Sequence, residues 1–250
     1  MPPDACAFHR TFEPAGPAEF RMDRHYLLYA MEGTMRLEAA GRRWTLPPAR
    51  AALIAAGEPV TISILTRLVS ASVLFAPGFA TPPPAPLSVF EVTPLARELI
   101  AECRTYGEDA GPLDSYARQL LATLAAVAAR LALSPTPCVL PAPSSPVLAR
   151  ALALTEARQA DAPSFPEIAR ESGLSPRALS RRFSEELGMT WGQTLRRIRM
   201  ISAVEALAGS QAPVTEIAFS VGYASLSAFN AAFRDFAGQS PSAFRAGLRG

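Results

Sequence analysis

The sequence predicts an α+β protein: an N-terminal β-barrel with two following helices, then an all-α C-terminal domain in which two helix-turn-helix units are joined by a long helix. Three observations predict it. Short apolar stretches, several alternating at period two and parted by Gly or Pro, fill the first 75 residues. The apolar spacing turns helical after Thr93. The last hundred residues contain a duplication at an offset of 49 to 50 residues.

The strands are expected at 25–31, 34–38, 42–46, 51–56, 60–65 and 70–75, with turns at Gly33, Gly41 and Gly57. The proline run at 81–86 ends this series, because Pro cannot continue a central strand or a helix interior. Thr93-Pro94 then reads as an N-cap with Pro at the first helical position. Leu95, Leu99, Ile100 and Cys103 follow at helical spacing. A second helix is expected over 113–133, and both helices are candidates for barrel packing or a dimer interface. A second proline-rich stretch, 134–146, reads as an extended linker. The expected division is therefore 1–133, a linker at 134–146, and 147–250.

Composition narrows the chemistry. The chain has 250 residues, 49% of them hydrophobic and 18% charged, enough for a sizeable core. All 24 basic residues are Arg, so phosphate-loop, Schiff-base and Ser–Lys chemistry are excluded. The only histidines are His9 and His25, and the three cysteines, Cys6, Cys103 and Cys138, are far apart in sequence without a C-x-x-C spacing. No metal, cofactor or catalytic residue is expected on that ligand count. Residues 1–10 lack the apolar stretch of a secretory signal, and the run at 120–129 is too short for a membrane span. A cytoplasmic protein without membrane association is expected. Up to Pro143 there are 12 Arg against 13 acids, and from Ser144 onward 12 Arg against 9.

In the duplication, Glu167-Ile168-Ala169-x-x-x-Gly173 returns as Glu216-Ile217-Ala218-x-x-x-Gly222. Leu179, Phe183 and Gly188 return as Phe229, Phe233 and Gly238. Each unit reads as helix, glycine turn, helix. Ser164-x-x-Glu167 and Thr190-x-x-Gln193 have the spacing of capping boxes, and Ser175-Pro176 is a cap followed by a first-turn Pro. Arg177, Ser180, Arg181 and Arg182 fall opposite Leu179 and Phe183. An Arg fork on such a face can grip guanine or a phosphate. The helix between the units ends at Gly209 after about 19 residues, so it is roughly 28 Å long, close to the ~34 Å turn of B-DNA. Arg196, Arg197 and Arg199 on it are expected to meet phosphates or acids rather than bases.

The arrangement resembles the AraC/XylS family of transcriptional regulators over residues 144–249. The resemblance is carried by Val221-Gly222-Tyr223-x-Ser225-x-Ser227-x-Phe229-x-x-x-Phe233-Arg234 and by Gly238-x-Ser240-Pro241-x-x-Phe244-Arg245, after Ile168-Ala169 and Leu179-Ser180-Arg181-Arg182-Phe183. It implies a regulator that binds double-stranded DNA and activates or represses transcription with RNA polymerase. By motif position it implies base contacts from Arg177, Ser180 and Arg181, then from Leu226, Ser227, Asn230 and Ala231. Arg182, Ser225 and Arg234 complete the expected DNA-binding set. Many members carry Arg where this chain has Ala231.

The segments 26–38 and 42–48 resemble the cupin-like sensing domain of the same family. That likeness implies a small-molecule effector in the barrel, with Tyr26, Tyr29, Arg36 and Trp44 as candidate lining residues, and a homodimer. Two other readings stay open on sequence: a cupin-type enzyme carrying a DNA-binding module, and an interaction protein that has lost DNA binding.

Overall fold

The computed structural model describes residues 3–136, 138–161 and 163–249. Pro137, inside the expected linker, lies outside the described residues. The chain divides into two compact units, residues 1–39 with 44–136, and residues 40–43 with 137–250.

Among the described residues, the first unit contains β1 (Ala5–Phe12), β2 (Ala15–Phe20), β3 (His25–Glu32), β4 (Met35–Ala39), most of β5 (Arg42–Leu46), β6 (Arg50–Ile54), β7 (Val60–Ile64), β8 (Leu68–Phe75) and β9 (Leu87–Glu91). One sheet runs β1-β8-β3-β6-β9, and within this unit the other runs β5-β4-β7-β2. Their pairings are antiparallel, with β3 central between β8 and β6. β3 to β8 lie where the period-two pattern places them. β1, β2 and β9 are additional strands that the pattern does not mark.

Two helices follow, α1 (Pro94–Cys103) and α2 (Ser115–Ala132). Thr93 Oγ1 accepts from the Ala96 N–H at 3.3 Å, and Asp114 Oδ1 accepts from Ala117 at 2.8 Å, so both first turns are capped. Ile100, Cys103, Leu121, Leu124 and Ala128 pack on the β3 face that carries Leu27 and Tyr29. The opposite face of β3 presents Tyr26, whose ring lies 5.9 Å from Phe8 and 5.4 Å from Phe20, with its hydroxyl 3.1 Å from Ser72 Oγ.

The second unit adds β10 (Val139–Pro141), α3 (Pro146–Ala157), α4 (Phe165–Glu171), α5 (Pro176–Leu187), α6 (Trp191–Gly209), α7 (Val214–Ser220), α8 (Leu226–Ala237) and α9 (Pro241–Arg249). α3 and α9 are helices that the sequence reading does not place. Ser145 caps α3 through Leu148 N–H at 3.3 Å, with Pro146 in the first turn. Two residues of the expected linker join the core: Cys138 and Leu140 are buried with Leu148, Leu179, Phe183, Ile198, Phe229 and Phe233. Phe229 and Phe233 lie tilted at 5.8 Å within α8, and the edge contact of Phe233 with Phe244 at 5.6 Å ties α8 to α9. Among the described residues, no helix is long and apolar enough to cross a membrane.

Candidate nucleic-acid interface

The two repeats close with the same backbone geometry. After α4, Gly173 takes φ +78°, its N–H reaches Arg170 O at 3.0 Å, and Leu174 N–H reaches Ala169 O at 2.9 Å. After α7, Gly222 takes φ +86°, bonds Phe219 O at 2.9 Å, and Tyr223 bonds Ala218 O at 3.0 Å. This is the Schellman pairing, in which a left-handed residue lets its own N–H and the next one satisfy the last free carbonyls of the helix. The duplicated Gly is thus required by conformation in both units. Each turn delivers the chain to a serine cap: Ser175 Oγ accepts from Ala178 at 3.3 Å, and Ser225 Oγ from Ala228 at 3.2 Å.

Once started, each second helix buries one face. α5 buries Leu179, Phe183 and Leu187, and α8 buries Phe229, Ala232 and Phe233. The opposite side of α5 exposes Arg177, Ser180, Arg181 and Ser184, which line one open hollow together with Ser175 and Ala178. The opposite side of α8 exposes Leu226, Ser227 and Ala231, with Asn230 half-buried beside them and Arg234 exposed one turn on.

Charge along α5 runs against its helix dipole. The first turn contains Arg177 and no acid, while Glu185 and Glu186 occupy the end of the helix, which has no basic residue in its last turn. An isolated helix is more stable with the opposite arrangement, by a few tenths to about 1 kcal/mol per charge. A cationic N-terminal end is what an approaching phosphate or guanine edge requires. Arg181 lies 3.6 Å from Glu185, but both side chains are more than 60% exposed, so this pair is weak and easily exchanged for another anion.

Four expected contacts have other work in this structure. Arg182 does not share the open face: its Nη1 donates to Glu186 Oε1 at 3.1 Å and the residue is half-buried. The Ser225 hydroxyl is engaged as the α8 cap. Arg197 Nε donates to Val139 O at 2.6 Å, and burial lowers its pKa from the usual Arg value. Arg199 grips Gln159 O through Nε at 2.9 Å and Nη2 at 2.7 Å. Arg196 does meet an acid, Asp235, at 2.8 Å. These long-helix cations hold the unit together: Arg197 reaches a carbonyl of β10, Arg199 the carbonyl of Gln159 beyond α3, and Arg196 a carboxylate on α8. Ser164 caps α4 by position, yet its side chain makes no cap bond, so the expected reciprocal box is formed only at Thr190 and Gln193.

Sequence reasoning misses Glu186. Its carboxylate accepts from Ser144 N and Oγ at 3.0 and 2.8 Å and from Ser145 N and Oγ at 2.9 and 2.7 Å, besides Arg182. Desolvation alone raises its pKa, but the bonds from Ser145, Ser144 and Arg182 outweigh it and bring the value down to about 2. The end of α5 is thereby locked to the start of α3. The one sequence signal was Ser145-Pro146, which has the same form as Ser175-Pro176.

In the first unit, Tyr26 and Tyr29 face opposite sides of the sheet, as residues three apart on a strand must. Trp44 is buried in β5, and Arg36 alternates with the buried Met35 and Leu37 on β4. A cavity of about 370 Å³ between residues 78–81 and α2 is lined by Phe79, Thr81, Ala122 and Ala125, and by none of these four. Tyr26 and Tyr29 therefore do not share a face of β3. His25 Nδ1 accepts the Ala56 N–H at 3.0 Å, and burial lowers its pKa, a packed histidine rather than an open ligand.

Comparison with known proteins agrees with the duplicated geometry. Residues 168–247 match the family described as a helix-turn-helix domain. The ornithine utilization regulator of Pseudomonas aeruginosa is 38% identical over 99 residues, 40% of this chain and 29% of that protein. The transcriptional activator RhaS of Escherichia fergusonii is 38% identical over 96 residues, 38% of this chain and 34% of that protein. This chain thus spans about a third of the length of these relatives. A solved transcriptional regulator of Chromobacterium violaceum, of the AraC-type DNA-binding domain-containing proteins, is 27% identical over 41% of this chain and 92% of that one, with a TM-score of 0.40. The matched segment, residues 168–247, is the one that carries the two glycine-hinged units.

Proposed function

We propose that the chain is a sequence-specific regulator of transcription that binds double-stranded DNA through α5 and α8. The observation that carries this reading is the exposed Arg177–Ser180–Arg181 face of α5, held at a cap by a turn that recurs at α8. α6 spans 19 residues, roughly 28 Å, which suits two helices set into successive major grooves. Arg177 and Arg181 supply the strongest base contacts, and Arg234 serves the phosphate backbone. The β unit binds a small-molecule effector and pairs two copies of the chain, and the residues 134–146 link it to the DNA-binding part. The protein acts in the cytoplasm, alongside RNA polymerase, without catalysing a reaction.

A titration of labelled duplex over a salt series tests this. Affinity is expected to fall steeply with salt, with a slope of about −0.9 per phosphate neutralised. Arg181→Ala is expected to weaken the selected site by about 1–3 kcal/mol, roughly 5- to 150-fold. Absence of duplex binding at low salt, or an Arg181→Ala variant with unchanged affinity and sequence preference, contradicts the reading.

A further inference from the structure

We propose that the two reading helices recognise chemically different halves of one operator: α5 a box centred on guanine, α8 an A·T box read through thymine methyl groups and one adenine. This rests on the DNA-binding reading above and specifies its substrate.

Superposing the repeats by sequence pairs Leu179 with Phe229 and Phe183 with Phe233. Arg177 then corresponds to Ser227, Ser180 to Asn230 and Arg181 to Ala231. At both positions where α5 exposes a guanidinium, α8 exposes a small side chain. The residue that opens α8 is Leu226, an exposed large apolar side chain where α5 has Pro176. Leu226 and Asn230 are four apart, as are Ser227 and Ala231, so each pair stacks along the helix.

Base-edge chemistry assigns these two faces differently. A guanidinium fork matches the O6 and N7 acceptors of guanine, which α8 cannot engage before Arg234. A carboxamide pairs with N6 and N7 of adenine, and Asn230 supplies one. Apolar groups meet the thymine 5-methyl, and Leu226 and Ala231 supply two. Removing Leu226 from water against a methyl group also resolves the cost of leaving that side chain exposed.

The test uses the full chain and a site selected from a random duplex pool. The box whose preference relaxes with Arg181→Ala is assigned to α5, and the other to α8. Thymines are then replaced by deoxyuridine, which lacks only the 5-methyl group, in one box at a time. Loss of affinity by about three- to fivefold per contacted methyl is expected in the α8 box, and no change in the α5 box. Leu226→Ala is expected to remove the uracil sensitivity of one thymine and leave that of the thymine facing Ala231, and Asn230→Ala to relax one adenine position. Both variants alter residues outside the buried core, and an unshifted melting curve checks their folding. Binding that is indifferent to uracil in the α8 box overturns this proposal and leaves DNA binding intact. A guanine-centred α8 box overturns it as well. Failure to select any sequence overturns the proposal together with the regulator reading on which it rests.

Discussion

Gly222→Ala is expected to lower the thermal midpoint of the C-terminal unit by about 12 °C or more, roughly twice the loss from Gly173→Ala. Both glycines hold a left-handed φ, which costs an L-residue about 1–2 kcal/mol. Only Gly222 is also hemmed in. A Cβ there meets Gln159 O at 2.4 Å and Arg199 Nη2 at 2.7 Å, whereas nothing lies within 4 Å of one on Gly173. The Gly222 site is where Arg199 of α6 clasps the backbone beyond α3, so a methyl group must part that clasp. Losing a charged hydrogen bond of this kind costs about 1.5–3 kcal/mol, which brings the total to about 3 kcal/mol or more. The chain has two tryptophans, Trp44 in β5 and Trp191 at the start of α6. Fluorescence in a Trp44→Phe background therefore follows Trp191 alone. A Gly222→Ala variant no less stable than Gly173→Ala contradicts the clasp.

Glu186 is expected to make the same unit sensitive to acid. Its folded pKa of about 2 lies below the ordinary 4.5, so the unfolded chain binds the proton more tightly. The stabilisation is fully present above pH about 4.5 and is lost as pH falls towards about 2. A displacement of that size corresponds to roughly 3 kcal/mol for the Glu186 side chain, which is only 10% exposed. Urea unfolding followed by Trp191 is expected to show Glu186→Gln less stable by about that amount at neutral pH, with the difference closing near pH 2. A difference that stays constant with pH shows that the four serine bonds do not depend on the charge.

Much of the candidate site's geometry was legible because its determinants are local. A glycine with positive φ, a serine cap and an apolar pair four apart are fixed by neighbours within one turn, and Gly173, Ser175, Leu179 and Phe183 declare all three. Strands β3 to β8 show for the same reason. What stayed hidden depends on partners distant in sequence. β2 contains Pro17 and pairs within its unit only with β7, a setting in which Pro is tolerated because one side of the strand donates to no neighbour. α3 follows a proline-rich stretch that masks its cap. Arg197 and Arg199 carry the charge expected of phosphate contacts, yet the carbonyls that hold them lie 58 and 40 residues away. Tyr26 and Tyr29 were the reverse case, since strand periodicity alone already sends them to opposite faces.

Hydroxyl-radical footprinting of the full chain on a selected site tests the central claim most directly. Two protected patches on one face of the duplex are expected, their centres about 10–10.5 base pairs apart, one turn of B-DNA. A single patch, or two patches displaced by half a turn onto opposite faces, contradicts the claim that α5 and α8 enter successive major grooves together.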